Sequence, residues 1–453
     1  MNYISTMDWY VITNPETLDT PALIVFPERV RANIRLAIEM VGDPARLRPH
    51  VKTHKSPDLT RLQLAAGITR FKCATIAEAE MLALEGAPDV LLAYQPIGPK
   101  VERFATLIRK YPKTAFSCLI DNPDAAAAMA KTFAAANLTV PVYLDINVGM
   151  DRTGIAPGDE AIQLYRMATQ LDGIDPVGLH AYDGHIRDTD LAERTRKCDE
   201  AFAKVVALRK NIAALANTPH PAPASAAASP TAPPASASPT ASARSGLSLA
   251  SPASSSASGA PTAAASPPTK PAASPTASAT SASPTSLKII AGGSPTFPVH
   301  ARRPAIAEGG AQTEPESVQC SPGTFVYWDK GYGDAFPDQG FQPAALVVAR
   351  VISLRGDTRL CLDLGHKSIA PENEISRRVF FLNGPELKPV GQSEEHLVVE
   401  AGPGHNYRIG DIFYGVPFHI CPTVAQYDHA YTVESGRVTG AWKNIARDRV
   451  LTI

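Results

Sequence analysis

The chain has 453 residues, and its 43 Lys and Arg are balanced by 44 Asp and Glu, a net charge of −1. That length has room for two or three domains, and the charge balance gives no case for nucleic acid or an anionic membrane as an obligate partner. Six cysteines with no CxxC pair argue against a disulfide framework and for a reducing cytoplasm, while the absence of a long apolar run or a basic leader argues against a membrane span or signal peptide.

From residue 21 apolar runs of strand length alternate with amphipathic runs. Strands are expected over 21–26, 47–51, 71–74, 90–94, 114–120, 141–146, 176–181 and 287–291. Helices are expected over 28–41, 56–66, 76–84, 99–110, 123–136, 159–171 and 190–216. This alternation predicts a (β/α)8 barrel, an α/β fold, with an open doubly wound sheet as the alternative. From about residue 321 the texture becomes short β-rich runs at 325–328, 344–354, 359–364, 396–400 and 411–416, separated by Gly, Asp and Pro. These predict a second, mainly β domain over 321–453, on which the N-terminal residues could also pack. Between the two, residues 217–286 are almost all Ala, Ser, Pro and Thr. Such a tract cannot bury enough apolar surface to offset the entropy of ordering, and is expected to be disordered. It interrupts the barrel, which is therefore assigned to 1–216 and 287–320.

Five motifs carry candidate chemistry. Arg48-Pro-His50-Val-Lys52-Thr-His54-Lys55 closes a predicted strand, and in barrels the C-terminal strand ends hold the active site. A lysine crowded by positive charge has its ammonium disfavoured, and a neutral amine can form a Schiff base with an aldehyde such as pyridoxal phosphate (PLP). The same octet also fits an exposed basic loop. Gly149-Met-Asp-Arg152-Thr-Gly154 places an arginine where it could hold a phenolate or carboxylate, or sit on a solvated turn. Gly178-Leu-His180-Ala-Tyr182-Asp-Gly-His185 ends another strand and could position substrate or cofactor. Gly292-Gly293-Ser294-Pro-Thr296 could cradle a phosphate, with the hydroxyls adding donors, or be an ordinary turn. His419-Ile-Cys421 would face one side of an extended segment, and an imidazole with a thiolate suits zinc. A packed His and a buried Cys would look the same.

Together with Leu18-Asp-Thr-Pro21, Gln63-Leu-Ala-Ala-Gly67, Cys73-Ala-Thr-Ile-Ala-Glu-Ala-Glu80 and Ser321-Pro-Gly-Thr324, these motifs resemble the D-threonine aldolase / D-serine dehydratase family. Its members are fold-type III PLP enzymes related to the N-terminal domain of alanine racemase. The resemblance spans nearly the whole chain outside the low-complexity tract. It implies that Lys52, and not Lys55, bonds the cofactor aldehyde, and that Arg152 lies near its phenolic oxygen. Gly292 and Gly293 would bind the phosphate with Ser294, and Thr75 and Tyr182 would line the pocket. Lys52, His54 and Tyr182 are the candidate catalytic residues. His419 and Cys421 match two ligands of a divalent metal, zinc or manganese, and a head-to-tail homodimer is implied. The expected reaction is retro-aldol cleavage of a D-3-hydroxy amino acid to glycine and an aldehyde. The alternative is dehydration to a 2-oxo acid and ammonia, and less favoured are a racemase or a non-catalytic PLP carrier.

Overall fold

The computed structural model describes residues 9–216, 287–303 and 318–453. The tract 217–286, expected to be disordered, lies outside the described residues. Ahead of the barrel come β1 (Ala22–Val25) and α1 (Pro27–Val41). Proline suits the first helical turn, where its missing N–H is not needed. The buried face of α1, Val30, Ile34, Ala37 and Val41, recurs at three- to four-residue spacing, so one stripe packs inward.

The barrel then runs through α2 (Pro57–Ala65), β2 (Arg70–Cys73), α3 (Ile76–Leu84), β3 (Asp89–Leu92), α4 (Pro99–Lys110), β4 (Ala115–Ile120) and α5 (Pro123–Ala135). It continues with β5 (Val140–Ile146), α6 (Asp159–Ala168), β6 (Ile174–Ala181), α7 (Leu191–Ala216), β7 (Lys288–Ala291) and β8 (Gln319–Cys320). Strands β2 to β8 form one parallel sheet in sequence order. The extended segment 47–50 joins its two edges: Leu47 pairs with Cys320 and His50 with Lys72. The Arg48 amide donates to the Cys320 carbonyl at 2.8 Å, and the Lys72 amide to the Pro49 carbonyl at 2.9 Å. Alternation along the strands divides the side chains. Leu91, Leu119, Tyr143 and Ile290 fill the middle of the ring. Phe71, Cys73, Val90 and Leu92 join the larger core under the helices.

The first barrel strand is therefore segment 47–50, not the run at 21–26. That run forms β1, which belongs to the second sheet with β9 (Ala345–Arg355), β10 (Arg359–Leu362), β11 (Val379–Phe381), β12 (Lys388–Gln392), β13 (Leu397–Glu400), β14 (Ile412–Pro417), β15 (His429–Glu434) and β16 (Arg437–Lys443). β1 pairs antiparallel with β9 on one side and parallel with β15 on the other. Its burial on all four residues fits an interior strand of either sheet, so composition could not place it. The run at 325–328, read as β, is instead a buried 3-10 turn at Thr324–Val326. Among the described residues no helix is long and apolar enough to cross a membrane.

Candidate active site

Lys52 lies in a 3-10 turn, Val51–Thr53, directly after segment 47–50. His50 caps this turn: its Nδ1 accepts from the Lys52 amide at 3.3 Å. Most of the basic neighbours that surround Lys52 in sequence are engaged elsewhere. Arg48 is fully buried and donates to both Asp89 oxygens at 2.7 Å. Lys55 is paired with Glu78. His54 turns away to start α2, its Nδ1 accepting from the Ser56 amide at 3.1 Å. Burial pushes the His54 imidazole down to about 3. The candidate catalytic His54 is thus buried and held neutral, with its Nδ1 on the Ser56 amide just ahead of α2.

The charge that does face Lys52 comes from the next strand. Lys72 is buried on β2, and its Nζ lies 3.2 Å from His180 Nε2 at the end of β6. His180 Nδ1 in turn meets Asp145 of β5 at 2.7 Å, and the Thr153 hydroxyl donates to the other Asp145 oxygen at 2.9 Å. Burial lowers Lys72 to about 7; the Lys52 charge acts in the same direction, with Asp145 and Asp183 opposing. His50 is pushed well below its usual value by burial, then by Lys52 and Lys72. Neither Lys72 nor His50 was singled out for a role from the sequence, since their relation to Lys52 runs across strands.

Tyr182 follows β6. The Arg152 guanidinium carbon stands 4.9 Å from its ring centroid and Lys72 Nζ stands 5.9 Å from it. This brings the predicted Arg152 and Tyr182 together. Thr75 caps α3, its hydroxyl accepting from the Glu78 amide at 3.0 Å.

After β7 the predicted phosphate turn leads into α8 (Phe297–Ala301). Gly292 has φ +81°, and a Cβ there would come within 2.6 Å of the His300 ring. A Cβ at Gly293 would come within 2.8 Å of the Tyr182 ring. Both amides already have partners: Gly292 donates to the Ala181 carbonyl and Gly293 to the Thr296 hydroxyl. The Ser294 hydroxyl accepts from the Gly323 and Thr324 amides at 3.2 and 3.1 Å, clasping the loops after β7 and β8. The Ser321 hydroxyl, just past β8, is buried and has no hydrogen-bond partner among the described residues.

Behind this turn the donor atoms of Asp183, Cys198 and His300 lie within 4.8 Å of one another. Asp183 accepts from Thr296 at 2.6 Å and meets His300 Nε2 at 2.8 Å, while Cys198 lies 3.3 Å from the same nitrogen. Each group is bonded within the cluster, so the cluster braces the turn from beneath.

His419 and Cys421 meet, though not as alternate residues of a strand. β14 ends at Pro417, and His419 caps α10 (Ile420–Val424), placing Cys421 in its first turn. Asp329 caps α9 (Lys330–Ala335), and its second oxygen accepts from the Ile420 amide at 3.1 Å, tying α10 to α9. The His419 Nδ1 contacts the Glu372 carboxylate, as in metal sites where a carboxylate orients the histidine. Burial raises the Cys421 thiol, but its hydrogen bond to His419, the His419 charge and then Lys52 bring the net value down. The Cys421 sulfur lies 3.1 Å from the Thr53 hydroxyl, one residue beyond Lys52, and 3.8 Å from that of Thr324. The β-rich part of the chain thus delivers its thiol onto the lysine turn of the barrel.

Comparison with known proteins bears on this arrangement. Residues 26–251 match the alanine racemase N-terminal domain, and residues 344–433 match the family described as "Putative serine dehydratase domain". A D-threonine aldolase from Arthrobacter sp. is 24% identical over 95% of this chain and 93% of its own length. The solved D-threonine aldolase from Filomicrobium marinum superposes with a TM-score of 0.70 at 22% identity, covering 95% of this chain and 96% of that one. The D-threo-3-hydroxyaspartate dehydratase of Delftia sp. strain HT23 is 32% identical over 40% of this chain and 49% of its own length. One solved form of a D-threo-3-hydroxyaspartate dehydratase, with a cysteine replaced by alanine, is metal-free; another form has alanine in place of the histidine two residues earlier. The cysteine-replaced form covers 94% of this chain and 98% of its own at 19% identity, with a TM-score of 0.63. With both domain types present in one chain and the fold matched nearly end to end, the protein belongs to the D-threonine aldolase / D-serine dehydratase family.

Proposed function

We propose that the chain is a PLP- and metal-dependent lyase of D-3-hydroxy amino acids, cleaving the Cα–Cβ bond to give glycine and an aldehyde. The observation that carries this reading is the meeting of the Lys52 turn with the His419–Cys421 pair through Thr53 at 3.1 Å. An amine for the Cα end of the substrate and a metal-type donor pair for its hydroxyl then share one pocket.

The residues fit both groups. A Cβ would fill the concave turn at Gly292 and Gly293. The orphaned Ser321 hydroxyl is the kind of buried group that costs about 1–3 kcal/mol until an acceptor reaches it. Lys52, Lys72 and Arg152 give the mouth an excess of positive charge suited to a phosphate and a carboxylate. A thiol lowered by its imidazole neighbour suits a divalent metal such as zinc, or manganese in its place. Lys52, Thr75, Arg152, Tyr182, Gly292, Gly293 and Ser294 would hold PLP, and His419 and Cys421 the metal. PLP supplies the electron sink for the bond broken at Cα. The metal supplies Lewis acidity at the substrate hydroxyl.

The chain's own groups do the rest. Arg152, backed by the Tyr182 ring, orients the anionic edge of the bound molecules. The hydroxyl gives up a proton and Cα gains one as the Cα–Cβ bond breaks, and Lys52 delivers the proton to Cα. Thr53 and Thr324 hold Cys421 in place beside it. Ser294 and Gln339, whose amide donates to the Ser294 carbonyl at 2.8 Å, keep the phosphate turn closed against water.

A second reading, dehydration to a 2-oxo acid and ammonia, is favoured by Cys421. Its spacing from His419 equals that of the cysteine and histidine replaced in the dehydratase forms. Incubation with PLP, zinc or manganese, and D-threonine separates the readings by product. Glycine and acetaldehyde support the aldolase, 2-oxobutyrate and ammonia move the assignment to the dehydratase, and neither pair overturns both.

A further inference from the structure

Lys72 is a second lysine in the same space, and neither the octet nor the family resemblance accounts for it. Its side chain points into the barrel because β2 alternates: Phe71 and Cys73 face the outer core, and Lys72 faces inward across from His50. It is only 3% exposed. An ammonium has three donors, yet among the described residues its one hydrogen-bond partner is His180 Nε2 at 3.2 Å. That partner is fixed in turn. Asp145 takes the Nδ1 side of the ring at 2.7 Å, so Nε2 is left as an acceptor. The chain Thr153–Asp145–His180 thus spends three side chains on aiming one amine at the mouth. Its nitrogen reaches the level of Tyr182, which follows the last residue of β6.

Burying a cation with two donors unanswered is costly, and a purely structural position would favour an apolar residue there. No carboxylate forms an ion pair with Lys72 among the described residues, whereas the similarly buried Arg48 has Asp89. The carboxylates that act on it from a distance, Asp145 and Asp183, are bonded to His180 and to Thr296 and His300, so the Lys72 ammonium meets no carboxylate directly. Burial and Lys52 both weaken that charge when nothing anionic is nearby; an anion bound against it would restore it.

We propose that Lys72 is a further cofactor-contacting residue, its ammonium, aimed by His180 and Asp145, providing with Arg152 the positive charge that meets the phenolate of PLP. This rests on the PLP reading above and adds a residue to it.

The test compares wild type with Lys72→Met, which keeps the length of the side chain and removes the charge, and Lys72→Gln, which keeps a donor for His180. Each apo protein is titrated with PLP, followed by the visible absorbance band, and its melting temperature is measured without PLP. The expected result is a rise of at least about tenfold in the PLP dissociation constant for both variants. The visible band should also lose intensity to the near-ultraviolet one, because the protonated phenol is no longer disfavoured. The apo melting temperature of Lys72→Met should be unchanged or higher, since an unanswered buried charge has been removed. A purely structural lysine would give the opposite pattern, a lower melting temperature with unchanged affinity and spectrum, and that overturns the proposal. Wild-type affinity in Lys72→Gln alone would show that the hydrogen bond and not the charge matters, and overturns it too. If wild type itself binds no PLP, the proposed function fails with it. If wild type binds and both variants match it, the Lys72 inference fails alone.

Discussion

Cys421 is gripped from both halves of the chain, by His419 on its own helix turn and by Thr53 on the lysine turn. Replacing His419 or Cys421 with Ala should therefore empty the metal site while leaving PLP absorbance intact; metal content by mass spectrometry checks the first and a spectrum the second. Glu372→Gln is milder. It leaves both ligands but loses the carboxylate that orients His419, and should weaken metal binding roughly 10- to 100-fold. Retained affinity in that variant would show that the ring needs no such support. His54 gives a pH prediction. Its folded value of about 3 lies below the unfolded value near 6.5. Between those limits the unfolded chain binds a proton that the folded chain refuses, so stability rises with pH across that window and is lost on acidification. His50 and His180, also lowered by burial, add to the same trend. Urea unfolding at several pH values between 4 and 7 should show this loss, and His54→Asn should flatten it; parallel curves would contradict the account. At this scale the sequence was informative where a site residue sits in a contiguous motif, as Lys52 and the His419–Cys421 pair do. It was silent on Lys72, because what matters there is which residue stands across a strand, and on the burial that holds His54 neutral.

β1 pairs with strands far away in the chain: Val25 with Ala345 of β9 and Ile24 with Tyr431 of β15. Arg350 of β9 reaches back to the chain just before it, donating to the carbonyls of Leu18 and Pro15 at 2.7 Å. Ile24 pairs with Leu346 on one side and Tyr431 on the other. Ile24→Pro should thus damage the β-rich sheet and not the barrel wall, costing about 3 kcal/mol or more. Limited proteolysis locates the damage: early cuts within residues 344–443 agree, and early cuts confined to 70–181 contradict the assignment. The barrel strands and helices up to β7 were legible to within a few residues because apolar spacing and Pro or Thr caps mark them; α8 and the two-residue β8 were not, being too short to show a period. β11 was not, being only three residues long, nor were β12, β15 and β16, which are partly exposed and carry Pro, Gly or charged residues that read as loop. Sheet membership was illegible for β1 for a different reason: alternation describes a strand's faces, not its neighbours.

For the molecule as a whole, the low-complexity tract leaves from the end of α7 and returns at the start of β7, where Arg209 donates to the Leu287 carbonyl at 3.5 Å. That is the end of the barrel opposite the mouth. Replacing residues 217–286 with a short Gly/Ser linker should leave PLP affinity and turnover within about twofold, because loop closure depends only weakly on length. A larger loss would mean that the tract reaches the mouth. The head-to-tail dimer belongs to the proposal as well, and light scattering should give twice the chain mass. The central claim, that Lys52 is the cofactor lysine of a PLP lyase, is tested most directly by borohydride reduction of the PLP-loaded protein followed by peptide mapping. The account predicts a pyridoxyl group on Lys52 alone; a label on Lys55 or Lys72 instead, or no label on any lysine, would contradict it.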